Sequence, residues 1–221
     1  MVQGDLGVGH REHGFHLACS MDKKIHLAVF ASGNGSNAEA IMNYFLHHQQ
    51  IEVVILLSNN PNALALERAK KFNVPFRVFD KRQFRESDEV LIWLKEFKIT
   101  HIVLAGLLWL LPENLVQKFP DKIINIHPSL LPKFGGKGMY GPNVHKAVKA
   151  AGEKETGITI HLVNAHYDEG KILFQASCNV LSEDSFEAIA SKVNALEHEY
   201  YPKVIERWVL ATQNLRPLES R

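Results

Sequence analysis

Ile25–Leu57 reads IHLAVFASGNGSNAEAIMNYFLHHQQIEVVILL, and its hydrophobic pattern changes twice. Ile25 to Phe30 is an apolar run bounded by a Ser/Gly/Asn cluster, the signature of a strand. From Asn37 to His48, Ala38, Ala40, Ile41, Tyr44 and Phe45 recur at helical spacing, and Ile51 to Leu57 is again almost wholly apolar. The order strand, helix, strand predicts a βαβ unit, and near-continuous apolar strands are those buried on both faces of a parallel sheet.

The alternation continues outward. Ala63 to Phe72 predicts a short helix, Phe76 to Phe79 a third strand, and Asp88 to Phe97 a helix with Val90, Leu91, Leu94 and Phe97 on one face. His101–Leu104 and Lys122–Ile126 complete the parallel set, with Pro112–Phe119 as the helix between them. Lys133–Pro142 carries Gly135, Gly136, Gly138 and Gly141 and reads as a loop. Asn143–Ala151 follows as a helix, then Thr156–Val163 and Lys171–Val180 as paired strands. The last helix is expected to begin at Asp184 with Glu187 as capping-box partner, to bury Phe186, Ile189, Val193, Leu196 and Tyr200, and to kink or restart at Pro202. The fold class is therefore α/β, a mostly parallel sheet with helices on both faces.

The chain has 221 residues and a formal net charge of +1, so its composition gives no global footprint for nucleic acid. No apolar run is long enough to span a bilayer. Cys19 and Cys178 are the only cysteines, which argues against a disulfide framework and for a cytoplasmic location. Residues 1–20 are rich in Gly and His, lack periodicity, and are expected to be a disordered leader or an artefact of expression; residues 21–221 then form a single domain. His10, His13 and His16 fall three apart, but Gly14 argues against a helical metal site, so no metal is expected.

Two stretches carry chemistry. Ser32–Asn37 (SGNGSN) joins the first strand to the first helix, where backbone N–H groups and the helix dipole hold anions. As a dinucleotide fingerprint it lacks the acidic residue after the second strand, where Ser58-Asn59-Asn60 stands, so a phosphate ester suits it better than NAD. Asn125-Ile126-His127-Pro128-Ser129-Leu130-Leu131-Pro132 ends an apolar strand with two polar side chains on one side of it, and the prolines restrict His127 and Leu131 to extended backbone. The ten residues Ile123–Pro132 fit a capped strand end and an active site equally well. His145 and His161 are candidates to face the cleft as well, but the structural or surface reading is the better fit for each.

With these motifs, Lys24–Leu210 closely resembles the phosphoribosylglycinamide formyltransferases of the folate-dependent formyltransferase superfamily. SGNGSN resembles the family's phosphate loop, NIHPSLLP its catalytic signature, and Tyr167-Asp168-Glu169-Gly170 its later acidic loop. The resemblance implies a Rossmann-like formyltransferase fold and 10-formyltetrahydrofolate as co-substrate. It implies that Asn125 and His127 act at the formyl group with Asp168 beside His127. Gly35, Ser36 and Asn37 would bind the substrate phosphate, and Glu197 would lie over its ribose. Leu108, Trp109, Leu110 and Leu111 fall in the segment that lines the folate pocket, together with Asn125. Trp109 stands where relatives often carry arginine, a departure that bears on side-chain contacts and not on backbone ones. Arg85 is the nearest candidate for a second family arginine, offset by a couple of residues.

On this reading Asn125 donates to the developing oxyanion, and Asp168 is expected to raise the His127 pKa and keep it an acid near neutral pH. The partners are small-molecule substrates, without nucleic acid or membrane, for a monomer or homodimer. The alternatives are a deformylase or methionyl-tRNA formyltransferase on the same folate site, whose relatives carry extra domains, and a non-catalytic nucleotide-binding module.

Overall fold

The computed structural model describes residues 24–214. The leader reading of residues 1–20, with its three spaced histidines, lies outside them. Five strands run parallel: β1 (Ile25–Phe30), β2 (Ile51–Ser58), β3 (Phe76–Val78), β4 (His101–Leu104) and β5 (Ile123–His127). β6 (Glu155–Leu162) pairs antiparallel with β5, and β7 (Ile172–Asn179) antiparallel with β6. The sheet order is β3-β2-β1-β4-β5-β6-β7, so the chain reverses direction across the sheet between β1 and β4. In such sheets the crevice beyond the strands' C-terminal ends at that reversal receives ligands.

Strand alternation sorts the core into two layers. Ile25, Leu27 and Val29 of β1 pack with α1 (Ser36–Phe45), α2 (Leu64–Lys71), α6 (Pro142–Ala150) and α7 (Phe186–Asn214). Ala28 and Phe30 face the other way, onto α3 (Lys81–Arg85), α4 (Glu89–Glu96) and α5 (Glu113–Lys118). β2 changes phase at an irregularity in its pairing with β1, so that Val53 and Leu56 share one layer while Ile55 and Leu57 share the other.

α3 is an element that the apolar spacing does not predict: Asp80 accepts from the Gln83 backbone N–H and the Gln83 side chain accepts from the Asp80 N–H, a capping box that short apolar periodicity does not reveal. Two expectations need correction. α7 is capped by Ser185, whose Oγ accepts from the Ala188 N–H at 3.2 Å, while Asp184 turns back to the Leu181 N–H and Lys192. Nor does α7 restart at Pro202. Tyr201, Val204, Ile205, Trp208 and Val209 are buried around that point, and this packing outweighs the one hydrogen bond that a proline withdraws.

Candidate active site

The loop after β1 is braced from three sides. Gly35 caps α1 with φ 73°, and a Cβ there would stand 2.5 Å from the Ala65 Cβ, so only glycine fits both the backbone and the space. Ser32 Oγ donates to Asn59 Oδ1 at 2.6 Å and accepts from the Leu108 N–H at 3.0 Å, while Asn60 Nδ2 donates to the Ser32 carbonyl at 3.2 Å. The Ser-Asn-Asn segment, which stands where a dinucleotide fold wants a carboxylate, is therefore spent on holding the loop. Arg68 donates to the Asn34 carbonyl and side chain, both at 2.8 Å, and pairs with Glu39, which adds a cation beside the loop. Ser36 and Asn37 open α1, with their N–H groups at its positive end.

Across one cleft of about 590 Å³ from this loop lies the end of β5. Asn125 and His127 continue the row of Ile123, two residues apart as the strand period requires. His161 of β6 sits directly opposite Asn125 in the ladder. Its Nδ1 donates to the Leu162 carbonyl at 2.8 Å, and its Nε2 accepts from Asn125 Nδ2 at 3.2 Å. That contact fixes the Asn125 amide and leaves its second N–H for the cleft. His127 Nε2 donates to the Phe134 carbonyl at 2.8 Å. Asp168 stands between the two rings, 3.4 Å from His127 Nδ1 and 3.6 Å from His161 Nε2, with Oδ2 also accepting from the Gly136 N–H at 2.9 Å. Its backbone is left-handed, φ 57°, a region aspartate tolerates better than most residues. A Cβ at Gly170 would stand 1.6 Å from the Leu162 carbonyl, which fixes glycine at the end of the acidic loop.

Burial pushes the His127 imidazole below its ordinary range, and the Asp168 carboxylate opposes this without overcoming it. The net shift is opposite to the expected one, because His127 is only 3% exposed and the desolvation of its charge outweighs one carboxylate at 3.4 Å. For Asp168, burial acts upward but is outweighed by the close approach of His161, the charge of His127 and the Gly136 N–H, so its carboxyl lies below the usual range. Glu197 of α7 lines the same cleft, and burial raises it to about 7 against the downward pull of the Asn37 amide, which donates to it at 2.8 Å.

Leu107 to Leu111 form another wall, where Trp109 packs on Phe79 and Phe84 while also facing the cleft. Arg85 does not line the cleft; its Nη2 donates to the Leu110 carbonyl at 3.3 Å and braces that wall from behind. His145 and His161 are both buried and both line the cleft, so the surface reading does not hold, while His161 is also a hydrogen-bonded structural residue. The signal for His161 was its place opposite Asn125, which depends on strand register and so is not visible in local sequence. The Gly-rich loop joins the site through Phe134 and Gly136, long-range contacts that composition does not encode.

Among the described residues no group of His, Cys, Asp and Glu has the arrangement of a metal site, and no helix is long and apolar enough to cross a membrane. Residues 25–205 match the formyl transferase family. The chain is 41% identical over 191 residues to a chloroplastic phosphoribosylglycinamide formyltransferase of Arabidopsis thaliana, covering 81% of this chain and 63% of that longer one. It is 36% identical over 185 residues to the phosphoribosylglycinamide formyltransferase of Bacillus subtilis, covering 81% and 92% of the two. The crystal structure of the Bacillus halodurans phosphoribosylglycinamide formyltransferase superposes with a TM-score of 0.77 at 35% identity, over 86% of this chain and 98% of that one. The chain belongs to the formyl transferase family, and within it to the phosphoribosylglycinamide formyltransferases.

Proposed function

We propose that the chain transfers the formyl group of 10-formyltetrahydrofolate to the amine of phosphoribosylglycinamide, a step of de novo purine biosynthesis. One observation carries the reading: an anion-binding loop at Gly35–Asn37 and a buried Asn/His/His/Asp cluster face each other across one cleft. The loop takes the substrate phosphate, and Glu197 accepts from the ribose hydroxyls. The apolar wall of Leu108, Leu110, Leu111 and Trp109, with its backbone groups, takes the pterin; Arg85 holds that wall in place.

In the reaction the amine nitrogen attacks the formyl carbon and the carbonyl pair moves onto oxygen, where the second N–H of Asn125 meets it. The C–N10 bond then breaks as the proton released by the amine reaches N10. Nε2 of His127 is held by Phe134, so the exchangeable proton of the charged ring is the one on Nδ1, beside Asp168. Burial makes that imidazolium a stronger acid than a free one, and the nearby carboxylate opposes that shift without reversing it. Water carries the proton over the remaining distance. The reading includes small-molecule substrates alone, a cytoplasmic location, and a monomer or homodimer.

The test is an assay of purified protein with both substrates, following product absorbance, with donor alone as the control for hydrolysis. Formyl transfer dependent on the ribonucleotide supports the reading. Binding of ribonucleotide without turnover would make the chain a binding module, and hydrolysis of the donor regardless of acceptor would make it a deformylase.

A further inference from the structure

His145 belongs to the cleft wall but to none of the contacts that hold the cluster together. It lies in the first turns of α6, is 5% exposed, and is close enough to His127 for charge on that ring to disfavour charge on its own. Its Nδ1 is sealed from solvent with no partner among the described residues. A buried nitrogen costs less as an unmatched lone pair than as an unmatched N–H donor, so the ring proton sits on Nε2. That atom is the ring's remaining polar group, on a side chain that lines the cleft. Burial also holds the ring below the ordinary histidine range, which keeps it neutral at physiological pH.

The other imidazoles of the cluster are already engaged. His127 Nε2 is taken by the Phe134 carbonyl, and His161 bonds through Nδ1 to Leu162 and through Nε2 to Asn125. Asn125 has one N–H left, whereas an oxyanion accepts two or more hydrogen bonds. We infer that His145 is a further catalytic residue of the formyl transfer: its Nε2–H donates to the formyl oxygen alongside Asn125 as negative charge develops there. This inference rests on the proposed formyl transfer. It assigns a task to the helix that follows the Gly-rich loop, since α6 delivers the second donor.

Two variants test it. His145→Leu removes the donor and the unpaired nitrogen while filling the space, and His145→Gln keeps an N–H near the position of Nε2. The Leu variant should lose about 10²- to 10³-fold in kcat, the usual cost of one oxyanion donor, with little change in KM for the ribonucleotide. Its melting temperature should hold or rise, because a buried polar atom without a partner has been removed. The Gln variant should recover a large part of the lost kcat. Unchanged kcat in the Leu variant of an active enzyme overturns the inference and leaves the proposed function standing. Equal losses in both variants, accompanied by lowered melting temperatures, also overturn it, because that pattern marks a packing role. A wild-type protein with no formyl transfer overturns both.

Discussion

The two ends of the cleft are built from different materials. The loop at Ser32–Asn37 presents backbone N–H groups, whose partial charges do not titrate, and it is held by neutral side chains, Ser32, Asn59 and Asn60, with Arg68 outside. The end of β5 presents buried ionisable groups that share one carboxylate, Asp168, between two imidazoles. The lesson is a division of labour: the backbone donors of the holding end do not titrate, and the reacting end takes its properties from burial.

Substitutions should separate the two ends. His127→Ala should lower kcat by about 10³-fold, within the range of a lost acid–base group, while the ribonucleotide Kd from calorimetry changes little. Asp168→Asn at the same end should move the His127 titration, followed by proton NMR, to lower pH, because the carboxylate supplies the upward pull against burial. An unmoved titration would break the assignment of that pair.

At the holding end, Gly35→Ala places a methyl group 2.5 Å from the Ala65 Cβ at φ 73°. The combined cost of overpacking and left-handed backbone is about 2 to 4 kcal/mol, to be read in thermal or urea unfolding together with weakened ribonucleotide binding. Saturating substrate should restore most of kcat in that variant, which no substitution of His127 should allow.

Glu197 joins the two behaviours, being an ionisable group at the holding end. Its folded value, about 7, lies above the ordinary 4.5. Its contribution to stability is therefore present in full below the ordinary value and is lost as pH rises through about 7. Glu197→Gln should melt like the wild type at low pH and become the more stable protein above neutrality, by about 1 to 3 kcal/mol. A difference that does not grow with pH would remove Glu197 from the comparison.

How much of this was legible in the sequence differs along the same division. The holding end is local: β1, the glycines and the start of α1 are contiguous, so SGNGSN predicts its structure and its chemistry together. Asn125 and His127 were legible for the same reason, as alternate residues of one strand followed by Pro128. Their surroundings were not. His161 enters through antiparallel register with β5, Phe134 and Gly136 through a loop that folds back, and His145 through the placement of α6. The resemblance supplied Asp168, but the sign of the His127 shift depends on how deeply both groups are buried, a property of the assembled fold. The start of α7 at Ser185 and its continuation past Pro202 without a restart have the same origin, since local rules favour Asp184 and a break while the assembled fold decides.

Ser32 gives the cleft one more property. A single hydroxyl fastens the loop after β1 to Asn59 on one side and to the Leu108 N–H of the opposite wall on the other. The two walls of the cleft thus share a hinge pin, and no change at this position can be confined to one of them. Ser32→Ala would loosen both walls together, whereas an inhibitor that tightens one wall through Ser32 would stiffen the other. Selection for a new acceptor or a new one-carbon donor would have to leave this residue alone.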